Sequence, residues 1–242
     1  MGVYKSDPNL VALWSLDEAS GVRYDFTANN NDLADNNTVG QNAVDYKEGV
    51  ACADFESGSS ESLSITDAAQ TGLDIIGNIS IVAWVKLESK TEERVIISKY
   101  ETGSNQRCYK LRYGAVLHVV EFLLSSNGTA SVTSVGATTF ANDVWHHVAG
   151  VYDGAHVSIY VDGLLDSNGA SNPLDYTGGI ADKAADVFVG KQDGGSTYWD
   201  GLIDELAVFD RALSATEVLG IYESGIALIA PVVDYYRRRR TN

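Results

Sequence analysis

Cysteine is scarce in this 242-residue chain. Its two cysteines, Cys52 and Cys108, lie on different predicted strands, and no spacing resembles a metal knuckle or a CxxC redox site. Two buried free thiols are the reading, with a disulfide as the alternative. There are only three prolines against 23 glycines. No apolar run is long enough to span a bilayer as a helix. The opening residues MGVYKSDPN carry neither a basic stretch nor an apolar one, so no secretory leader is expected there. Without such a leader, the Asn-x-Ser/Thr patterns at Asn36, Asn78 and Asn127 read as coincidence. Basic residues are few: 17 Lys and Arg face 33 Asp and Glu, for a net charge of −16. Arg237 to Arg240 hold four of them, which leaves the body near −20. Such a body repels nucleic acid and anionic membranes.

Catalytic patterns are missing too. Glycoside hydrolysis needs two carboxylates on one face, about 5 Å apart in retaining enzymes and further apart in inverting ones. On a strand the compact solution is Glu-x-Asp-x-Glu or a bulged variant, because alternate side chains share a face. Neither occurs. Asp17-Glu18, Glu92-Glu93 and Asp204-Glu205 are adjacent pairs, expected to point to opposite faces. His118 and His156 lack neighbours suited to a triad or a metal cluster, and His146-His147 reads as structural. The chain is read as non-enzymatic.

What the chain has is alternation. In Trp145 to Asp166, WHHVAGVYDGAHVSIYVDGLLD, two runs of period two flank Asp153-Gly154, the dipeptide of a tight hairpin turn, and Asp162-Gly163 supplies a second turn. β-branched and aromatic residues with a turn about every ten residues indicate an antiparallel two-sheet sandwich. All-β sandwiches commonly run to about 200–250 residues as one unit. Trp14, Trp84, Trp145, Val151, Ile159 and Ile203 are expected to be largely buried. Ser214 and Glu217 have capping-box spacing for a short helix over 214–223 that Gly225 ends.

This stretch resembles the laminin-G-like, concanavalin A-type jelly-roll domains, and four further segments match in order. Leu13 to Gly21 with Asp25 and Asn29-Asn30-Asn31 resembles the opening strand and its acidic, Asn-rich loop. Ile79–Lys86 and Val95–Tyr100 resemble central strands, and Tyr198–Ser214 resembles the closing strand and helix start. The resemblance implies an all-β, two-sheet antiparallel jelly roll over 10–224, preceded by a 1–9 extension and followed by a 225–242 arm. It also implies a structural Ca2+ at Asp25, Asn31 and Asp204, a mixture of hard oxygen ligands. Ala28 and Asn30 stand where the family usually has glycine.

This fold carries lectins, adhesion domains, glycosidases and virion proteins, so function must come from sites. Tyr100, Tyr109, Tyr176 and Tyr198 are candidates to stack on sugar rings. The arm combines an apolar run, Ile226, Leu228, Ile229 and Val232 included, with Tyr235, Tyr236 and Arg237, Arg238, Arg239 and Arg240. It reads as a docking element for a capsid or tail protein or for another copy of the chain. The leading expectation is therefore a non-catalytic virion-surface module, of phage type, that also binds glycans. A secreted or cell-surface lectin or adhesion module is the alternative, and a glycoside hydrolase the third.

Overall fold

The computed structural model describes residues 3–227. Among the described residues the strands are β1 (Leu10–Trp14), β2 (Ala34–Asn36), β3 (Gly40–Asn42), β4 (Cys52–Phe55), β5 (Ser62–Ile65), β6 (Ile79–Leu87), β7 (Arg94–Glu101) and β8 (Gln106–Tyr113). They continue as β9 (Val119–Leu124), β10 (Val132–Thr139), β11 (Trp145–Tyr152), β12 (His156–Val161), β13 (Leu164–Leu165), β14 (Leu174–Asp175), β15 (Val187–Val189) and β16 (Gly201–Phe209). The helix is α1 (Ala215–Ala227). A nine-stranded antiparallel sheet runs β13-β12-β11-β6-β16-β4-β3, with β1 on β16 and β14 on β12. A seven-stranded antiparallel sheet runs β10-β9-β8-β7-β15-β5-β2. The chain is thus the antiparallel two-sheet sandwich that its alternation indicates, with the C-terminal helix, and the jelly roll that the resemblance implies.

Local chemistry explains the elements. Asp153 closes the β11–β12 hairpin by accepting the N–H groups of Ala155 and His156 through Oδ1, while Gly154 takes a φ of +90° that L side chains rarely adopt. Ser214 and Glu217 form the expected reciprocal cap: the Ser214 N–H donates to Glu217 Oε2 at 2.7 Å, and the Glu217 N–H to Ser214 Oγ at 3.3 Å. Arg211 also donates to Glu217, and these bonds hold its carboxyl down at about 2.

The core lies between the sheets. Tyr109, Leu111 and Tyr113 of β8 and Val120, Phe122 and Leu124 of β9 meet Ile81, Ala83 and Val85 of β6 and Val148 of β11. The sheets approach so closely at Gly150 that a Cβ there would lie 2.8 Å from the Phe122 ring, which explains a glycine inside a buried strand. Trp14, Trp84, Val151, Ile159 and Ile203 are buried as expected. Trp145 is not. It is half-buried on the outer face, with Nε1 donating to Asp45. Cys52 and Cys108 are buried free thiols in different sheets.

A second apolar layer covers part of the nine-stranded sheet's outer face. There Val218 and Ile221 of α1, with Tyr4, pack on Val82, Ala149, Val151, Ala207 and Phe209. The 3–10 turn Val3–Ser6 packs on this face through Tyr4. The helix also runs past Gly225, contrary to the expected stop. A Cβ on Gly225 would lie 2.5 Å from Trp84 Nε1, so this glycine serves close approach to the indole and not termination. Of the arm, Ile226 falls in the last helical turn. Leu228, Ile229, Val232, Tyr235, Tyr236 and Arg237 to Arg240 lie outside the described residues.

Strand β16 slips register between Asp204 and Ala207, and Glu205 takes a φ of +48°. This bulge leaves Ile203 and Leu206 both in the core and turns both intervening carboxylates outward, correcting the expectation that adjacent acids face apart. Glu205 accepts hydrogen bonds from Lys5 Nζ at 2.9 Å and Tyr4 Oη at 3.1 Å. Glu48, 5% exposed, sits beside them with Lys5 Nζ at 3.8 Å. Burial, then the Glu205 charge, pushes the Glu48 carboxyl up to about 7, against the pull of Lys5. Because its folded pKa exceeds the unfolded one, the stability Glu48 contributes is present below about pH 4.5 and is lost as pH rises through 7. Glu217, depressed, contributes stability that is present above about pH 4.5 and is lost as pH falls through 2. The Glu48 contribution to the unfolding free energy should therefore be larger at pH 5.5 than at pH 8. Glu48→Gln should gain about 2 kcal/mol at pH 8 and little at pH 4.5; a variant no more stable than the parent at pH 8 contradicts this reading.

Candidate functional site

Period-two alternation in β8 sends Tyr109, Leu111 and Tyr113 into the core and Lys110 and Arg112 to the outer face of the seven-stranded sheet. There they form the floor of an open groove of about 620 Å3. Tyr100 of β7, Leu123 of β9 and Thr133 of β10 share that floor, and the 192–197 loop forms one wall. Glu93, just before β7, closes the end.

The floor is an ion-pair network. Lys110 Nζ donates to Glu93 Oε1 at 3.1 Å and to Gln192 Oε1 at 2.7 Å. Arg112 donates through Nη1 to Glu93 and through Nε to Glu121 Oε2 at 2.7 Å. Lys110 is 3% exposed, and burial lowers its pKa while the Glu93 charge opposes that shift. Its ammonium also stands 4.7 Å from the centroid of the Tyr100 ring, a cation–π contact. The Tyr100 hydroxyl bonds Ser131 Oγ at 3.0 Å. Hydroxyls of Ser131, Thr133 and Thr197 line the margins. The groove thus offers paired charges and hydroxyls that can exchange hydrogen bonds with a polyhydroxylated ligand.

The four candidate tyrosines do not form one site. Tyr100 alone lines the groove, and at 4% exposure under Lys110 its ring face is closed to stacking. Tyr109 is fully buried, its hydroxyl donating to the Leu73 carbonyl, and is a core residue. Tyr176 lies against Tyr152, ring centroids 5.5 Å apart, and lines a separate open depression with His156 and Asp175. Tyr198 is half-buried beyond the loop wall, with Lys191 Nζ 5.5 Å from its ring.

Asp25, Asn31 and Asp204 do not share a cage. Asp25 Oδ1 accepts the N–H groups of Leu13 and Thr27 at 3.0 and 2.9 Å, and Oδ2 accepts the Thr27 hydroxyl and the Asn31 N–H at 2.8 and 2.9 Å. Asn31 in turn ties the Val11 and Thr71 backbones together. This carboxylate already faces four donors, which is the arrangement of a loop anchor. Asp204 stands apart from that pair, with Oδ2 accepting the N–H groups of Lys47 and Glu48 at 2.7 and 3.0 Å. Burial pushes its pKa well up. Among the described residues no group of three or more His, Cys, Asp or Glu side chains is placed to hold a metal ion.

The histidines pack. His146 stacks on Phe140 and bonds Asp162, while His147 lies buried against Trp84 and Tyr222. Burial brings the His147 pKa down to about 4, so its ring is neutral near pH 7.

Lys110, Arg112 and Gln192 were not among the sequence candidates. The alternation of QRCYKLRY puts Lys110 and Arg112 on one face and was the available signal. Gln192 had none, since a loop brings it to the groove.

A family model described as the concanavalin A-like lectin/glucanases superfamily matches residues 57–219, more than half of the chain. The chain belongs to this superfamily. No curated protein sequence matches it. Among solved structures, botulinum neurotoxin type C, which depends on interaction with two ganglioside molecules, is similar at 12% identity and a TM-score of 0.62, over 90% of this chain and 51% of its own. The ligand-binding domain of botulinum neurotoxin serotype D, solved with N-acetylneuraminic acid, is similar at 15% identity and a TM-score of 0.63, over 89% and 51%. Trypanosoma rangeli sialidase is similar at 14% identity and a TM-score of 0.63, over 88% of this chain and 32% of its own. At these identities the likeness is one of fold. The chain spans about half the length of the neurotoxin structures it matches.

Proposed function

We propose that this protein is a non-catalytic binding module that takes carbohydrate in the groove above Tyr100, Lys110 and Arg112. The observation that carries this reading is the concave polar floor. It sets fixed donors and acceptors among hydroxyl-bearing side chains on a rigid sheet, as sugar recognition requires. The neurotoxin domains with ganglioside and N-acetylneuraminic acid ligands support glycan binding for this fold, and a synaptotagmin II complex supports protein partners as well. Glu93, the acid that lines the groove, and Glu121 beside the floor are both engaged by Arg112, which favours binding over hydrolysis. Thr133→Arg places a long side chain across the floor without removing an ion pair. Wild-type protein should bind one or more glycans on an array, and Thr133→Arg should lose them with its melting temperature unchanged. If the wild type binds no glycan, or the variant binds as well, the groove is not the site.

A finer placement goes with this reading: display on a virion surface or comparable assembly, held by the 225–242 arm. Its support is the arm's apolar run followed by four arginines, set against an acidic body. Deleting 228–242 should leave a folded protein that no longer joins its assembly. Assembly by the truncated protein, or its unfolding, rules the arm out as an anchor.

A further inference from the structure

The charges on the groove floor cancel. Glu93 and Glu121 carry two negative charges and Lys110 and Arg112 two positive ones, and every one of the four is in an ion pair with another. Arg107, 6.0 Å from the Tyr100 ring centroid, is offset by Glu101, whose carboxyl it helps hold down. The other polar side chains that line the groove are uncharged: Gln192 and the hydroxyls of Tyr100, Thr102, Ser131, Thr133, Ser196 and Thr197. Around this balanced patch the whole chain carries −16.

These observations decide between ligand classes. A carboxylate or sulfate entering the groove meets no free cation. It must either displace Glu93 from Lys110 and Arg112, leaving a carboxylate unpaired on a largely buried floor, or remain unpaired itself; both are costly. The negative field of the body opposes it further at low salt. A neutral sugar meets neither obstacle. Its hydroxyls can accept from the ammonium and guanidinium groups while donating to the carboxylates that hold them, so the ion pairs stay intact. Because the Tyr100 ring face is occupied by the Lys110 ammonium, recognition falls to hydrogen bonds rather than to ring stacking.

We infer that the groove selects uncharged sugars and discriminates against sugars bearing carboxylate or sulfate. This inference rests on the proposed glycan-binding role of the groove and adds the ligand class. It also sets the chain apart from the serotype D neurotoxin domain, whose ligand N-acetylneuraminic acid is a carboxylate.

The test is calorimetric titration of the full chain with neutral probes and anionic counterparts. The neutral set is lactose, N-acetyllactosamine, maltotriose, cellotriose and mannotriose; the anionic set is 3′-sialyllactose, 3′-sialyl-N-acetyllactosamine, trigalacturonic acid and 6-sulfo-N-acetyllactosamine. Each is titrated at 50 and 300 mM NaCl, with Thr133→Arg as the groove-blocked control. At least one neutral probe should bind in a Thr133→Arg-sensitive way, and every anionic probe should bind at least tenfold more weakly than it at 50 mM NaCl. Glu93→Gln removes one of the two balancing carboxylates and should raise affinity for 3′-sialyllactose several-fold. Groove-dependent binding of an anionic probe as tight as that of its neutral counterpart overturns the inference and leaves the glycan-binding role standing. No binding by any probe removes both. An affinity for 3′-sialyllactose that Glu93→Gln leaves unchanged also counts against charge balance as the discriminator.

Discussion

Trp14→Ala should lower the unfolding free energy by about 3–5 kcal/mol, the range for a large aromatic removed from a core. Trp14 ends β1, is fully buried, and packs within the main core cluster. Its Nε1 donates to the Asn31 carbonyl at 2.7 Å. Alanine leaves both a cavity and a buried carbonyl without that donor, and the two losses act in the same direction. Trp145→Ala is the internal comparison. That indole is half-buried on the outer face, so its loss should cost clearly less. Urea unfolding followed by circular dichroism measures both. A Trp14→Ala cost below about 1 kcal/mol, or one no larger than that of Trp145→Ala, would contradict the assignment of β1 to the centre of the core.

The second large effect is expected at Asp25. Its carboxylate gathers the N–H groups of Leu13, Thr27 and Asn31 and the Thr27 hydroxyl, and so ties the 25–31 loop to β1. Asp25→Ala strands those donors at a site that is 9% exposed. With about 1–3 kcal/mol for each buried group left unsatisfied, and partial relief by water, the loss should reach about 3–5 kcal/mol. Asp25→Asn should fall between, because the amide keeps one acceptor oxygen but turns an NH2 group toward donors. The same melts run with and without EDTA separate this anchor from an ion site. If Asp25 acts through hydrogen bonds alone, chelator leaves the wild-type curve in place while Asp25→Ala shifts it. A chelator-induced drop matching that of the substitution would return the loop to a calcium role.

The loop shows how far sequence reasoning reached. The acidic and amide residues from Asp25 to Asp32 were legible as a cluster with a structural task. Whether their oxygens face a cation or the chain's own N–H groups depends on where Leu13 and Thr71 pass, and Thr71 is 40 residues from its partner Asn31. The tyrosines show the same limit. Tyr100 and Tyr109 are both aromatic residues on strands, yet one lines a groove and the other fills the core. The alternation of β8 separates the faces of that strand, but it does not say which face the second sheet covers.

The class of fold, the Asp153-Gly154 hairpin and the Ser214-Glu217 helix start are legible in the chain alone. These rest on short-range chemistry: side-chain period, turn dihedrals and reciprocal capping act over a few residues and leave their pattern in the chain. That β6 and β7, neighbours in sequence, belong to different sheets, and that a bulge turns Asp204 and Glu205 to the same side, follows from long-range packing. Only it set Glu93, Lys110, Arg112 and Gln192 into one groove. The groove depends on a strand pairing and a loop placement that join residues 17 and 82 positions apart, and such outcomes are fixed by which packing buries the most apolar surface while giving buried charges ion-pair or hydrogen-bond partners.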